Sequence, residues 1–278
     1  MHSELFHIGS LPIRAYGVAL AISFLAGIIV AMYRARRFGI SPNYVIDLSL
    51  VILIAAIIGS RFFYVVFHLE EFRDNYWDIL NPFQSSGNIG IAGLSMMGGV
   101  VLVIISAILF IRWRKMPLWE SLDTFAPSFL LGLAITRIGC LLNGCCFGEP
   151  TDWFWGIEFP RDCAAGWHYP GQHLHPAQLI SSFAGFLMFG LLLWLERKAS
   201  FRGFTFVMMV IFYAAFRFVI DFFRYYEPSM VFVSIGGADF SNNQALSVLM
   251  LVIFVSMYFI LSKRKQKPNH AIPDNNIS

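Results

Sequence analysis

Apolar residues dominate seven stretches of the chain, and each is long enough, or nearly so, to cross a lipid bilayer as a helix. The stretches run about 15–33, 44–67, 97–112, 124–142, 177–195, 203–223 and 245–262. Because roughly 20 apolar residues make one crossing, the pattern predicts an all-α integral membrane protein with about seven transmembrane helices. The third stretch is short and the fourth opens with Pro127, so a kinked or partly re-entrant segment is an alternative at either.

Basic residues gather at alternate ends of these stretches. Thirteen of the 20 lie after the first, third, fifth and seventh stretches, in the groups Arg34, Arg36, Arg37; Arg112, Arg114, Lys115; Arg197, Lys198, Arg202; and Lys263, Arg264, Lys265, Lys267. The positive-inside rule makes that side cytoplasmic, which predicts the N-terminus outside and the C-terminus in the cytoplasm. The first apolar stretch has its Arg cluster behind it rather than ahead, which favours a retained helix over a cleaved signal peptide.

The composition agrees with this class of protein. The chain is 57% hydrophobic and 13% charged, which excludes a disordered chain, a nucleic-acid binder and a soluble enzyme. We expect one polytopic transmembrane domain over residues 1–267, and a disordered cytoplasmic tail over residues 268–278. The net charge of +3 adds little, since the placement of the charges carries the information.

Four arginines lie within or at the edge of the apolar stretches, namely Arg61, Arg137, Arg217 and Arg224. Burying one arginine at bilayer depth costs at least ~2.5 kcal/mol, so each needs a reason to be there. The predicted topology places all four in the outer half of the membrane, on three different helices. A planar guanidinium matches phosphate oxygens in a bidentate way. The set therefore predicts a phospholipid headgroup site beneath the outer surface.

Two of these arginines also have a simpler explanation. Arg224 could extend to the interface from a helix end, and Arg217 could form an ion pair with Asp221 one turn later. Arg137 has no acidic residue within a turn on its own helix, which makes an external anion more attractive there. A transporter, whose pathway would also contain charges, is disfavoured because the arginines are confined to the outer half.

Glycines follow Arg137 in the segment RIGCLLNGCCFGEPTD. Gly144 and Gly148 lie with Asn143 where a helix gives way to an outer loop, and glycine lets backbone N–H groups approach an anion. Gly98 and Gly99 are candidates for a similar role at the start of the third stretch. Close packing of helices is the alternative for all of these glycines.

The motif RIGCLLNGCCFG, with AGLSMMGG before it and HPAQL and FRFVIDFFR after it, resembles the bacterial prolipoprotein diacylglyceryl transferases. IRAYG and GSRFFYVVF extend the resemblance over nearly the whole chain. It implies a seven-helix enzyme of the bacterial inner membrane, which moves the diacylglyceryl group of phosphatidylglycerol to the lipobox cysteine of a prolipoprotein signal peptide. This is the first step of lipoprotein maturation. We expect no cofactor and no nucleic-acid partner.

The resemblance also implies roles for individual residues. Arg137 matches the family's signature arginine, which holds the lipid phosphate, and Arg217 matches a second essential arginine near the crevice through which lipid or product passes. Asn143, Gly144 and Gly148 match other signature positions. Asp221 stands where the family usually has glutamate, so the acid is kept but is shorter by one methylene, and it is a candidate catalytic residue.

Met97 departs from the family, which usually has a histidine before the paired glycines. A thioether cannot take a proton from a thiol, so the base must lie elsewhere. His175 in HPAQL matches a family histidine and is the preferred candidate, because histidine titrates near neutrality. A histidine that caps the helix beginning at Pro176 is the alternative. Met97 also leaves a second hypothesis, in which a relative binds anionic phospholipid without this transfer or modifies a different acceptor.

The cysteines allow three interpretations. Cys140, Cys145 and Cys146 could bind a metal, Cys146 could form a disulfide with Cys163, or all four could be unpaired thiols. No C-x2-C pair exists in the sequence. Unpaired thiols are favoured, and no metal is expected.

Overall fold

A computed structural model describes residues 4–8, 11–72, 95–226, 230–235 and 238–263 of the chain. The tail over residues 268–278 lies outside the described residues. The protein is mostly helical, with α1 over Ala15–Ala35, α2 over Pro42–Phe67, α3 over Met96–Trp113, α4 over Leu118–Asn143, α5 over Ala164–His168, α6 over Ala177–Glu196, α7 over Phe204–Ile220 and α8 over Asn242–Lys263. Within the described ranges, seven of these helices are long and apolar enough to span a membrane, which confirms the predicted number. The orientation of the termini stays a prediction.

Three short antiparallel strand pairs and three 3-10 helices are also described. The strands pair β1 (Glu4–Ile8) with β2 (Leu11–Arg14), β3 (Ile157–Glu158) with β4 (His173–Leu174), and β5 (Val231–Ile235) with β6 (Ala238–Ser241). All three pairs lie outside the spanning helices. The second pair belongs to the long connection between α4 and α6, which contributes part of the candidate site.

The helical contacts divide the chain into two compact units, one formed by Met1–Phe38 with Leu122–Ser278 and one formed by Gly39–Ser121. In the first unit, buried apolar residues of α4, α6 and α7 form a common core that includes Leu130, Leu192 and Val210. A single domain over residues 1–267 stays a prediction.

In the second unit α2 packs closely against α3. A Cβ atom added at Gly59 would lie 2.6 Å from the carbonyl oxygen of Gly98. A larger residue at position 59 would therefore force α2 and α3 apart. Small residues at a helix interface allow this kind of packing in membranes. Ser95 caps α3, because its side chain accepts a hydrogen bond from the N–H of Gly98.

A buried ion pair holds α1 against α4 and α6. Arg34 is 2% exposed, and its Nη2 donates to Glu196 Oε1 at 2.9 Å and to the carbonyl of Asp123 at 2.8 Å. That carbonyl is free to accept because Pro127, four residues later, has no N–H to donate to it. The helix continues through Pro127, so the re-entrant alternative is wrong. Arg34, which the sequence places among the charged helix ends, lies instead inside the bundle.

The same region explains why α4 begins at Leu118 rather than near residue 124 as predicted. Glu120 and Asp123 lower the apolar count over this turn, but both are buried. The Asp123 carboxylate accepts hydrogen bonds from the backbone N–H groups of Gly203 and Phe206, both at 2.8 Å. It therefore satisfies two backbone donors at the start of α7, which have no partner within that helix.

Candidate functional site

The signature segment ends helix α4 in a turn that brings two cysteines together. Gly144 has φ +66°, and its N–H donates to the carbonyl of Leu141 while the N–H of Cys145 donates to the carbonyl of Cys140, both at 3.1 Å. This pair of bonds is a Schellman motif, in which the side chains at Cys140 and Cys145 meet. Glycine is required at position 144, because a Cβ there would also collide with the side chain of Cys163.

Cys146 turns back toward the other two thiols. Its φ of +59° lies in the left-handed region, which costs a residue with a Cβ about 1 kcal/mol or more. The Sγ atoms of Cys140, Cys145 and Cys146 all lie within 4.8 Å of one another. All four cysteines are free thiols, so the disulfide alternative between Cys146 and Cys163 is wrong.

Positive charges act on this thiol cluster. The Cys145 thiol donates to the carbonyl of Cys140 at 3.7 Å. Interactions with the thiols of Cys140 and Cys145, followed by the charges of Arg224 and Arg137, lower the pKa of Cys146 below its ordinary value. The segments that follow α4 and α7 also meet, because the N–H of Tyr225 donates to the carbonyl of Phe147 at 3.3 Å.

Arg224 has an unsatisfied donor at the centre of this arrangement. Its Nε is buried and has no hydrogen-bond partner among the described residues, and its Cζ lies 5.3 Å from the centre of the Tyr226 ring. Burial, followed by the charges of Arg217 and Arg137, lowers the pKa of Arg224. A buried guanidinium donor without a partner is a strong position for an anion.

Arg217 is held by a small polar network. Its Nε lies 3.3 Å from Asp221 Oδ1, and its Nη2 donates to the hydroxyl of Tyr226 at 2.8 Å. Tyr226 in turn donates to Asp221 Oδ1 at 2.8 Å, and Ser241 donates to Asp221 Oδ2 at 2.9 Å. The ion pair considered for Arg217 is therefore present. Both oxygens of Asp221 already accept hydrogen bonds, which favours a role in positioning Arg217 over a role as a base.

His175 is also held by a hydrogen bond from another side chain. The indole Nε1–H of Trp155 donates to His175 Nδ1 at 3.0 Å, so the neutral ring must have its proton on Nε2. Burial lowers the pKa of His175, which favours this neutral form. The N-cap of α6 is Pro176, and no side chain caps the helix, so the capping alternative for His175 is wrong. The unprotonated nitrogen of this ring, Nδ1, already accepts the hydrogen bond from Trp155.

Gly148 joins the signature segment to the two segments that carry His175 and Arg224. Its N–H donates to the carbonyl of His175 at 3.1 Å, and its backbone bridges that of Arg224. A Cβ at position 148 would lie 2.5 Å from the carbonyl oxygens of both His175 and Phe223. The glycine is needed for this close backbone approach, which supports the packing interpretation.

The remaining predicted residues lie in the second unit. Arg61 is 9% exposed, with its Cζ 5.2 Å from the centre of the Phe72 ring. Gly98 and Gly99 are buried against α2, as the packing alternative predicts. Met97 is 62% exposed.

An apolar pocket of about 380 Å³ lies beside α7 in the first unit. Phe216 and Val219 of that helix and Phe223 just beyond it line the pocket, together with Trp155 and Ile180. Phe216 and Phe223 directly precede Arg217 and Arg224 in the chain. A hydrophobic pocket therefore adjoins the segment that carries the cationic groups.

Tyr226, Ser241 and Trp155 are site residues that the sequence analysis did not single out. Tyr226 follows Asp221 by five residues, in a Tyr-rich segment that could have suggested a partner. No spacing rule links Ser241 or Trp155 to their partners, since both bonds join separate segments.

The chain matches the family described as prolipoprotein diacylglyceryl transferase over residues 3–260. A phosphatidylglycerol–prolipoprotein diacylglyceryl transferase of Clostridium botulinum is 31% identical over 266 residues, covering 96% of this chain and 100% of that protein. The protein of the same name from Clostridium tetani is 30% identical over 267 residues, with the same coverage. One from Prochlorococcus marinus is 32% identical over 204 residues, covering 71% of this chain and 67% of that protein. The chain therefore belongs to the prolipoprotein diacylglyceryl transferase family.

Proposed function

We propose that this protein transfers the diacylglyceryl group of phosphatidylglycerol to the thiol of a lipobox cysteine in a prolipoprotein signal peptide, in the bacterial inner membrane. The observation that carries the proposal is the buried Nε of Arg224, which has no hydrogen-bond partner among the described residues, on a segment whose backbone bridges Gly148 of the signature motif. Membership of the family supplies the substrate class, because the relatives are named for phosphatidylglycerol and prolipoprotein.

The charge balance supports an anionic ligand. Arg137, Arg217 and Arg224 contribute three positive charges, and Asp221 pairs with Arg217. Among the described residues no carboxylate forms an ion pair with Arg137 or Arg224, and these two partly buried charges repel one another. A phosphodiester would accept hydrogen bonds from both guanidinium groups and neutralise them.

The apolar pocket supports a lipid rather than a small soluble phosphate. Its lining residues Phe216 and Phe223 are neighbours of Arg217 and Arg224 in the chain. A headgroup bound by the arginines would thus have a place for an acyl chain close by.

The chemistry that these groups serve is an alkyl transfer to sulfur. The acceptor thiol loses its proton, the thiolate sulfur forms a bond to a glycerol carbon of the lipid, and the carbon–oxygen bond to phosphate breaks. Glycerol phosphate leaves with the electron pair of that bond. The arginines stabilise the charge that develops on the leaving phosphate.

A lipobox peptide assay tests the proposal. Purified protein in phosphatidylglycerol-containing micelles should add the mass of one diacylglyceryl unit to a peptide with a cysteine, and none to the same peptide with serine. Arg137→Lys keeps the charge but loses the planar fork, so the rate should fall at least about tenfold. Arg112→Lys is the matched control, because Arg112 is exposed at the end of α3. Equal rates in both variants would contradict the proposed phosphate site.

A second candidate function is a phospholipid-binding relative that does not perform this transfer. Met97 replaces the usual histidine, His175 Nδ1 accepts a bond from Trp155, and Asp221 has both oxygens occupied. No free base is evident in these groups. Phosphatidylglycerol binding without transfer in the wild-type protein, with transfer gained by Met97→His, would support this candidate.

A further inference from the structure

We infer that Cys140, Cys145 and Cys146 form a three-thiolate site for Zn²⁺, and that the fourth coordination position takes the acceptor cysteine. The inference rests on the proposed function, since it names the group that activates the acceptor thiol. Catalytic zinc sites commonly have three protein ligands and one position left for water or substrate. Three clustered thiols at the end of α4 offer such a set.

The sulfur geometry fits one metal ion. Zinc–sulfur bonds of about 2.3 Å in a tetrahedron place the sulfur atoms about 3.8 Å apart. The three Sγ atoms already lie within 4.8 Å of one another, so closing the site needs movements of about 1 Å or less. Cys140 is 5% exposed and the other two are partly buried, so the cluster is sheltered but can be reached.

The backbone around the cluster is fixed before any metal binds. The Schellman motif sets Cys140 against Cys145, and the positive φ of Cys146 directs the third thiol toward them. Gln178, which is buried on α6, donates from Nε2 to the carbonyl of Cys145 at 2.8 Å. Preorganised ligands lose little conformational entropy when they coordinate an ion.

The charge of the loaded site also matches its surroundings. Three thiolates and one Zn²⁺ carry a net charge of −1, and the positive charges of Arg224 and Arg137 act on Cys146. Groups outside the ligand set tune a metal site through such interactions. The same arginines are the proposed phosphate ligands, so the fourth position on zinc would lie beside the leaving group.

This arrangement solves the problem of the missing base. A thiol that coordinates Zn²⁺ is deprotonated outright, so neither Met97 nor His175 has to accept its proton. The acceptor cysteine would bind through sulfur and release one proton to solvent. Its sulfur then forms the carbon–sulfur bond as the carbon–oxygen bond to phosphate breaks. Zinc keeps its oxidation state, and the thioether product is a weaker ligand that leaves.

Cobalt substitution tests the metal site directly. Purified full-length protein, reduced in detergent, should bind about one Co²⁺ per chain and develop the charge-transfer absorption of a thiolate complex. Cys146→Ser should weaken Co²⁺ binding more than about tenfold. Cys163→Ser is the matched control and should bind like wild type, because Cys163 lies outside the cluster and its Sγ donates to the carbonyl of Pro160. Absence of binding to reduced wild type, or equal binding in both variants, would overturn the inference.

A lipobox peptide then tests the fourth position. Adding the cysteine peptide should change the Co²⁺ spectrum, whereas the serine peptide should not, and a chelator should lower the transfer rate of wild type at least tenfold, with recovery on adding Zn²⁺. Full transfer in chelated wild type would overturn the metal inference and leave the proposed function intact. No transfer by zinc-loaded wild type that binds the cysteine peptide would overturn the proposed function and leave the metal site intact.

Discussion

Arg217 and Asp221 form an ion pair one helical turn apart at the end of α7, with Nε 3.3 Å from Oδ1. Asp221 is buried, and Arg217 has a side chain that is 14% exposed. The carboxylate therefore fixes the position of a guanidinium that would otherwise be mobile. Its cost of burial is offset by the hydroxyl groups of Tyr226 and Ser241, which donate to it.

Asp221→Asn should destabilise the protein by about 3 kcal/mol, because it leaves the charge of Arg217 without a partner. Asp221→Glu is the control, since it keeps the carboxylate and restores the length usual in the family. The free energy of unfolding in detergent measures the difference. An Asn variant as stable as the Glu variant would show that the ion pair contributes nothing.

Tyr226→Phe should cost about 1–3 kcal/mol, because it removes the hydroxyl that accepts from Arg217 and donates to Asp221. Burial raises the pKa of Tyr226 to about 12, so this hydroxyl stays protonated across the working pH range. Tyr225→Phe is the matched control, since the Tyr225 ring stacks on Phe147 with centroids 5.5 Å apart and that stacking is kept. Thermal unfolding of both variants separates the hydroxyl from the ring.

Lowering the pH from about 7.5 to about 5.5 should destabilise the protein through His175. Burial holds the pKa of His175 below its ordinary value, although Glu149 acts in the opposite direction. The unfolded chain then binds more protons than the folded one, so this stability is present above about pH 6.5 and is lost as the pH falls toward the lower folded pKa. Protonation of Nδ1 would also break the bond from Trp155.

His175→Gln should flatten this pH dependence, and the unfolding midpoint as a function of pH measures it. Trp155→Phe, which removes only the indole donor, should leave a smaller pH dependence than wild type. An unchanged slope in the Gln variant would mean that another group titrates.

Glu196→Gln should destabilise the protein by about 3–5 kcal/mol, because the buried Arg34 would lose its carboxylate. Arg37→Ala is the control. Arg37 also approaches Glu196, at 4.0 Å, but its side chain is 55% exposed, so its removal should cost less than about 1 kcal/mol. Chemical unfolding of the two variants distinguishes the buried pair from the exposed one.

The spanning helices were predictable because the bilayer imposes a length and a composition on each crossing. The start of α4 was missed, since Glu120 and Asp123 look like loop residues until their burial is seen. Pro127 looked like a possible break, yet the carbonyl that it leaves free accepts from Arg34. In both cases a distant residue satisfies a group that the local sequence leaves unpaired.

The site could be predicted only where a charged residue lies in an apolar stretch of the sequence. Arginine in an apolar stretch is expensive, so the convergence of Arg137 and Arg224 could be expected from the sequence. The bond from Trp155 to His175 could not, because it joins segments whose approach is set by tertiary structure. The thiol cluster had a local signal, since Gly144 between Cys140 and Cys145 marks a helix end that folds these side chains together.

The pair between Arg34 and Glu196 joins positions 162 residues apart, which sets an order for assembly in the membrane. During synthesis α1 and α4 exist before Glu196 does, so the carbonyls of Asp123 and Thr124 are the first partners that Arg34 can reach. The carboxylate that neutralises its charge becomes available only when α6 has been made.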